Sequence, residues 1–366
     1  MKLPPLISVP LSWLYGMVVH IRHKLFDLKI LRSEEFDIPV VCIGNLTVGG
    51  TGKTPVAELL IERFSEHYRV GVLSRGYRRK TKGFVLSTPT SSARTIGDEP
   101  RQMKLKYPSV PVAVCEKRAE GIRLLRKAHP EIELIILDDA FQHRYVKPTV
   151  AVVLTEYARP AFSDSLLPYG RLREPVSALN RADIVVITKC PENMKPMDVR
   201  MFKENLNLFP YQKLYFSRYL YGHLVAVFPD KVTSIPRLER MTGDDTILVV
   251  SGVANPRPFV RHIRQYQARV NIQRYPDHAT YAAADMEAIL RKFSTMSGKR
   301  KHIITTEKDA VKLAHNPYFP HELKEHIFYL PVSVDFLPNP IHGTKSPEDF
   351  DTVLRHKIEH PEALKQ

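Results

Sequence analysis

A chain of 366 residues with 43% hydrophobic and 25% charged residues has ordinary globular composition and is long enough for two domains with a sizeable core, so small-scaffold staples are excluded as a requirement. Cys42, Cys115 and Cys190 are far apart, form no metal or redox spacing, and read as buried core residues in a reducing compartment. The formal net charge of +15 points to an anionic partner, with nucleic acid, an anionic membrane surface and a phosphorylated substrate all open.

Residues 3–19, LPPLISVPLSWLYGMVV, carry no charge and approach the shortest membrane-spanning length of about 17 residues. Pro4, Pro5 and Pro10 interrupt the first half. Only Lys2 is basic before it and no small-residue cleavage site follows, so a secretory signal is not expected. A helix is expected from Pro10, which suits a first-turn position. Leu11, Leu14, Val18, Ile21 and Leu25 recur at three- and four-residue steps. Such a helix either lies in a membrane interface or packs on the protein's own core. In the first case Trp13 and Tyr15 sit at headgroup level, and Arg22, His23 and Lys24 sit near lipid phosphates.

Short apolar runs then alternate with helical stretches. Strands are expected at 39–43, 70–74, 110–114, 133–137, 149–154 and 184–188, with helices at 55–68, 100–106 and 118–128. Near-continuous apolar strands between helices predict a mostly parallel sheet covered on both faces. The segment 213–228, KLYFSRYLYGHLVAVF, reads as a hairpin or a two-strand connector. The rhythm resumes with strands at 246–251, 270–274, 302–306 and 326–332 and helices at 258–266 and 282–293. The expected organisation is an N-terminal helix region over 1–30, a P-loop domain over 31–212, a two-stranded linker over 213–229 and a smaller α/β domain over 230–366. The fold class is α/β, P-loop NTPase-like.

The stretch GNLTVGGTGKTP at 44–55 follows a strand and opens a helix, the context a phosphate loop requires. Thr47, Val48, Gly49, Gly50, Thr51, Gly52, Lys53 and Thr54 are the candidate ATP-binding residues. Gly49, Gly50 and Gly52 let successive backbone N–H groups curl toward an anion, and the helix N-terminus adds its dipole. Lys53 reaches the β- and γ-phosphates, and the Thr54 hydroxyl suits Mg²⁺. Thr47 stands where the usual pattern has glycine.

A P-loop enzyme also needs an acidic group at another strand end. ELIILDDAFQH, 133–143, puts Asp138 and Asp139 there, in place for Mg²⁺. In GDEP, Asp98 or Glu99 also reads as a helix cap before Pro100. In LREP, Glu174 sits in an expected loop, and Lys189 closes a strand, bordering the nucleotide base or simply solvated. YPDHATY places Asp277 beside His278, a pair able to tune acid–base chemistry and also common as a structural feature. The tract RGYRRKTK, with Arg75, Arg78, Arg79, Lys80 and Lys82, suits phosphate. With Tyr77 as a stacking residue it also admits nucleic acid, although no recognised nucleic-acid module surrounds it.

Taken together, GNLTVGGTGKTP, SRGYRRK, GDEP, LDDAFQHR, LLPYGRLREP, RADIVVITK, SGVANPRPF, YPDHATY and TTEKDAVKL occur in one order across residues 5–335. This set closely resembles the tetraacyldisaccharide 4′-kinase family, the lipid A 4′-kinases. That family also has threonine at the Thr47 position, while RGYRRK is more basic than its RGYG form. The resemblance implies transfer of the ATP γ-phosphate, with Mg²⁺, to the 4′-hydroxyl of a tetraacylated disaccharide 1-phosphate, the lipid A precursor. It implies an enzyme on the cytoplasmic face of the inner membrane, peripheral or monotopic through its N-terminal helix, with no nucleic-acid partner expected. It implies Asp98 as general base with His278 as its partner across the cleft, and Lys53 in catalysis. Metal contacts from Thr54, Asp138 and Asp139, with Glu99 and Glu174 adding to them, come from the same resemblance. So do acceptor contacts from Arg75, Tyr77 and Arg118. The remaining alternatives are a P-loop kinase of a soluble small molecule and a nucleic-acid-binding ATPase.

Overall fold

The computed structural model describes residues 4–338 and 349–361. Lys2 and Leu3 of the N-terminal region, and 339–348 and 362–366 of the expected C-terminal unit, lie outside the described residues. The strands are β1 (Val40–Asn45), β2 (Val70–Ser74), β3 (Val85–Leu86), β4 (Val112–Val114), β5 (Leu134–Asp138), β6 (Val150–Glu156), β7 (Ile184–Thr188), β8 (Lys213–Tyr221), β9 (Val225–Ala226), β10 (Asp245–Ser251), β11 (Arg269–Arg274), β12 (Arg300–Thr306), β13 (Ile327–Leu330) and β14 (Val332–Phe336). The helices are α1 (Pro5–Asp27), α2 (Lys53–Phe64), α3 (Ala93–Ile96), α4 (Asp98–Lys106), α5 (Arg118–Ala128), α6 (Pro196–Leu206), α7 (Arg257–Ile263), α8 (Ala283–Thr295), α9 (Glu307–Ala314) and α10 (Phe350–Glu359).

The near-continuous apolar strands form the centre of a nine-stranded sheet, in the order β14-β8-β7-β6-β1-β5-β2-β4-β3. Strands β4, β2, β5, β1, β6, β7 and β8 run parallel; β3 and β14 pair antiparallel at the edges. Successive residues of β1 face opposite sides: Val40 and Cys42 join one core, Val41 and Ile43 the other. The three cysteines are buried and free, as expected. A second sheet, β11-β10-β12-β13-β9, is parallel except for β9 and has a core on each face.

Strand pairing excludes the hairpin reading of 213–228. β8 and β9 do not pair with each other; each joins a different sheet, and the antiparallel partner of β8 is β14. Pro331 breaks the single strand expected at 326–332 into β13 and β14, because proline has no N–H for a ladder. The chain therefore leaves the large sheet along β8 and returns along β14. The last elements of the expected 230–366 unit do not stay with the second sheet. Phe350, Val353, Leu354 and Ile358 of α10 fill the core around Val41 and Ile43, where the Phe350 ring stacks 4.2 Å from Phe336 and meets Tyr215 edge-on at 5.3 Å. Phe350→Ala should therefore cost about 3–5 kcal/mol. Chemical denaturation measures this, and a loss below about 1 kcal/mol, the level of an ordinary surface substitution, would contradict it.

Helix α1 begins at Pro5, not Pro10; Pro5 takes the first-turn role and Pro10 lies inside the helix. Its buried residues are Ser8, Ser12 and, near its C-terminal end, Phe26, which meets Tyr145 edge-on at 5.0 Å. Ser12 is 8% exposed, whereas Trp13, Leu14, Met17, Val18 and Ile21 are 79%, 54%, 55%, 58% and 52% exposed. Of the residues expected to form one apolar face, Leu11, Leu14, Val18 and Ile21 are exposed and Leu25 is half-buried. No helix among the described residues is long and apolar enough to cross a membrane.

Candidate active site

The phosphate loop leaves β1 at the C-terminal edge of the large sheet. Thr47 is paired in extended conformation with Leu172, flanked by Arg173 N–H to Leu46 O at 2.6 Å and Val48 N–H to Arg171 O at 2.8 Å. That conformation suits a β-branched residue and needs no glycine. Gly52, at φ 93°, is different: a Cβ there would stand 2.7 Å from the Tyr219 hydroxyl. The loop is braced by Asn45 Nδ2 donating to Thr51 Oγ1 (2.7 Å) and by Thr188 Oγ1 donating to Thr51 O (2.8 Å). Lys189 is no free strand end: its ammonium bonds the Gly50 carbonyl and pairs with Glu156 at 2.6 Å. Asn255 of the second unit donates to the same Glu156 carboxylate at 3.2 Å.

Parallel pairing sets Asp138 abreast of Ile43, beside the start of the loop. Asp138 is buried. Its Oδ2 accepts from Ser74 Oγ at 3.1 Å, and its Oδ1 has no hydrogen-bond partner. Burial, then the charges of Asp139 and Glu99, push its carboxyl up to about 7, against the opposing pull of Lys53. Asp139, at φ 50°, faces Lys53 Nζ at 3.5 Å and Arg173 Nη2 at 2.9 Å. Burial alone would raise Asp139, but Lys53 and Arg173 outweigh it and hold the carboxyl at about 2.

Across the cleft, Asp98 and Glu99 open α4 after Gly97. Gly97 and Gly76 pack so closely that a Cβ on Gly97 would lie 3.1 Å from the Gly76 Cα, which draws the SRGY turn onto the acidic pair. The Asp98 carboxylate meets His278 Nδ1 at 3.0 Å and Lys312 Nζ at 2.9 Å. Burial would raise its pKa, yet His278 and Lys312 together hold it at about 2. Glu99 meets Lys308 Nζ at 2.7 Å, and the same ammonium stands 3.2 Å from His278 Nε2. Lys308 and Lys312 escaped the sequence reading as site residues. Their i, i+4 spacing behind the Thr306 cap of α9 was the available signal, since it puts both on one helix face.

Comparison with known proteins decides the family. The family model described as Tetraacyldisaccharide-1-P 4'-kinase matches residues 5–345. A Tetraacyldisaccharide 4'-kinase from Bacteroides thetaiotaomicron is 49% identical over 338 residues, 90% of this chain and 88% of that one. The namesake from Flavobacterium johnsoniae is 39% identical over 331 residues, 90% of this chain and 92% of its own. A crystal structure of LpxK from Aquifex aeolicus in complex with ATP matches with a TM-score of 0.70 at 26% identity, covering 96% of this chain and 98% of that one. This chain belongs to the tetraacyldisaccharide-1-P 4′-kinase family.

As a kinase of that family it is a phosphotransferase that works with ATP and Mg²⁺ on a hydroxyl group. The residues fit the metal at one point above all. The orphaned Oδ1 of buried Asp138 offers a carboxylate oxygen that nothing else satisfies, and Thr54 lies half-buried at the head of α2. Three other expected site residues have protein partners of their own. Glu174 is buried: Arg181 bonds its Oε2 at 2.5 Å, and His23 Nε2 of α1 stands 3.2 Å from its Oε1, which, like Asp138 Oδ1, has no hydrogen-bond partner. Glu99 is held by Lys308. Arg118 is 3% exposed, and its guanidinium donates to the carbonyls of Cys115 (3.1 Å), Glu116 (3.0 Å) and Asp139 (3.5 Å). It braces the Asp139 turn from beneath; the exposed acceptor candidates are Arg75 and Tyr77. Arg79 is likewise structural, bonded to Glu116 at 2.6 Å and to Gly83 O at 2.5 Å.

The raised Asp138 carboxyl has a testable consequence. Between its unfolded value of 3.8 and about 7 the folded, metal-free protein binds the extra proton, so stability falls as pH rises through that window. Asp138→Asn removes this loss. In excess chelator, the Tm of Asp138→Asn minus that of wild type should rise between pH 5 and pH 8; a flat difference would count against the buried, uncompensated carboxylate.

Proposed function

We propose that this chain transfers the γ-phosphoryl group of ATP to the 4′-hydroxyl of a tetraacyldisaccharide 1-phosphate, the lipid A precursor, while seated on a membrane surface. The observation that supports this reading most is the convergence on Asp138. The charges of Lys53, in the phosphate loop, and of Glu99, beside the Asp98–His278 pair, both act on its carboxyl.

In this reading the backbone N–H groups of residues 47–52 and the Lys53 ammonium hold the β- and γ-phosphates. Asp138 and Thr54 would hold Mg²⁺, which supplies charge neutralisation on the transferred group. Asp139 orients Lys53, and Arg173 orients Asp139. Asp98 accepts the proton of the acceptor hydroxyl, with His278 fixing the carboxylate. A carboxyl held near 2 is a weak base, but phosphoryl transfer through a loose transition state asks for placement of the nucleophile before it asks for basicity. Arg75 and Tyr77 line the acceptor side. The residues of 230–330 form the smaller unit that closes over the site, which excludes water and protects ATP from hydrolysis.

The membrane part rests on α1. Its outward apolar face suits an interface, and its inward face is bonded along its length: Ser12 to Leu166 O at 2.9 Å, Tyr15 to Arg173 O at 2.8 Å, Arg22 to Gln142 O at 3.0 Å and Asp27 to Arg144 at 2.8 Å. A helix so attached lies on the bilayer and does not cross it. The inner-membrane cytoplasmic face, where ATP and the anionic leaflet meet, is the proposed location. The +15 charge then serves lipid and phosphate, not nucleic acid.

Mass spectrometry of purified protein with ATP, Mg²⁺ and tetraacyldisaccharide 1-phosphate in mixed micelles tests the reading. A product carrying one added phosphoryl at the 4′ position is expected, lost in Lys53→Ala. ATP hydrolysis without lipid product, stimulated by DNA or RNA, would replace the reading with its rival.

A further inference from the structure

His278 sits at φ 59° and so does Arg78, opposite it on the other unit. Neither is glycine, and a side chain in that region carries backbone strain that persists only where the surroundings over-determine it. The surroundings here are each other. Arg78 Nη1 donates to the carbonyls of Asp277 (3.2 Å) and His278 (3.4 Å), 199 and 200 residues away in the chain. The Arg78 guanidinium also lies 5.6 Å from the Tyr77 ring centre, and that ring meets the His278 imidazole edge-on at 5.0 Å. The imidazole is thus held at Nδ1 by Asp98, met edge-on by Tyr77 and fixed through its own backbone by Arg78.

We propose that Arg78 is a positioning residue: its guanidinium ties the 277–278 turn of the smaller unit to the SRGY turn of the larger one, and so sets His278 against Asp98. The inference rests on the reading of Asp98 and His278 as the acid–base pair. It also assigns a role to the extra arginine of RGYRRK that differs from phosphate binding. Lys312 donates to Ala279 O at 3.2 Å and Lys308 stands 3.2 Å from His278 Nε2, while the same two ammoniums pair with Asp98 and Glu99 of the larger unit; Arg78 adds direct bonds from the SRGY turn to the backbone of the 277–278 turn. Two carbonyls held by one planar guanidinium fix its register. The strut is exposed, so its contribution is to geometry more than to stability.

Glycine suits φ 59°, so Arg78→Gly removes the strut without straining the fold. Steady-state kinetics of Arg78→Gly, Arg78→Lys, His278→Ala and the Arg78→Gly/His278→Ala double variant form the test. Arg78→Gly should lower kcat about tenfold, with the acceptor KM changed by less than about twofold. Arg78→Lys, which keeps one donor, should recover part of the loss. In the His278→Ala background Arg78→Gly should cost nothing further, because residues acting through one another are non-additive. Wild-type kcat in Arg78→Gly beside a crippled His278→Ala would overturn this inference alone. So would a raised acceptor KM at unchanged kcat, the mark of a phosphate contact, or an equal loss in both backgrounds. A fully active His278→Ala would instead overturn the reading of the pair itself.

Discussion

Asp98→Asn should lower kcat by about 10²–10⁴-fold, the range for loss of a positioned general base, and leave ATP affinity nearly unchanged. The reason lies in what Asp98 touches. None of its partners belongs to the phosphate loop: His278 and Lys312 come from the smaller unit, and the residues proposed to hold ATP are 47–54. Asparagine keeps the size and one carbonyl acceptor for Lys312, so the cleft should still close. What disappears is the charge that takes the hydroxyl proton. Because His278 and Lys312 hold Asp98 at about 2, its ionisation is complete far below neutral pH. The acid limb of the kcat profile near neutrality therefore belongs to other groups, and a wild-type limb near pH 4 assigned to Asp98 would contradict the geometry. His278→Ala should cost less than Asp98→Asn, since Lys312 still orients the carboxylate at 2.9 Å. Near-normal turnover in Asp98→Asn would remove it as the base.

Local signals made the phosphate loop legible. Strand, glycine-rich turn, lysine and helix follow one another within twelve residues, and Asp138 follows from a strand end. The larger sheet was legible for the same reason, since each buried strand is a contiguous apolar run. What sequence could not supply was pairing at long range. The motifs around Glu174 and Glu99 give no sign that His23, 151 positions upstream, stands beside one and Lys308 beside the other. Arg118 opens a helix near the site, and nothing in its sequence context shows that it is buried against the carbonyls of Cys115, Glu116 and Asp139. The connector was recognisable as strands, but its partner β14 lies more than a hundred residues away. Periodicity named the apolar stripe of α1 and could not say which way it faced, because a core-facing and a lipid-facing stripe repeat identically.

That stripe gives the second large effect. Leu14→Glu with Val18→Glu should release the protein from vesicles containing anionic lipid. Both side chains are a little over half exposed. Covering them with lipid contributes roughly 1–1.5 kcal/mol each after discounting the part already buried, so partitioning should fall on the order of 30- to 150-fold. The fold should not notice. The bonds that seat α1 start from Ser12, Tyr15, Arg22 and Asp27, so Tm and ATP binding stay at wild-type values. Vesicle flotation measures the partition, and unchanged flotation of the double variant would exclude α1 as the membrane contact. Salt separates the two forces involved. At about 1 M the Debye length is near 3 Å, so the share owed to the basic surface is screened while the apolar share persists. Wild type should keep part of its binding in high salt, and the double variant should keep far less.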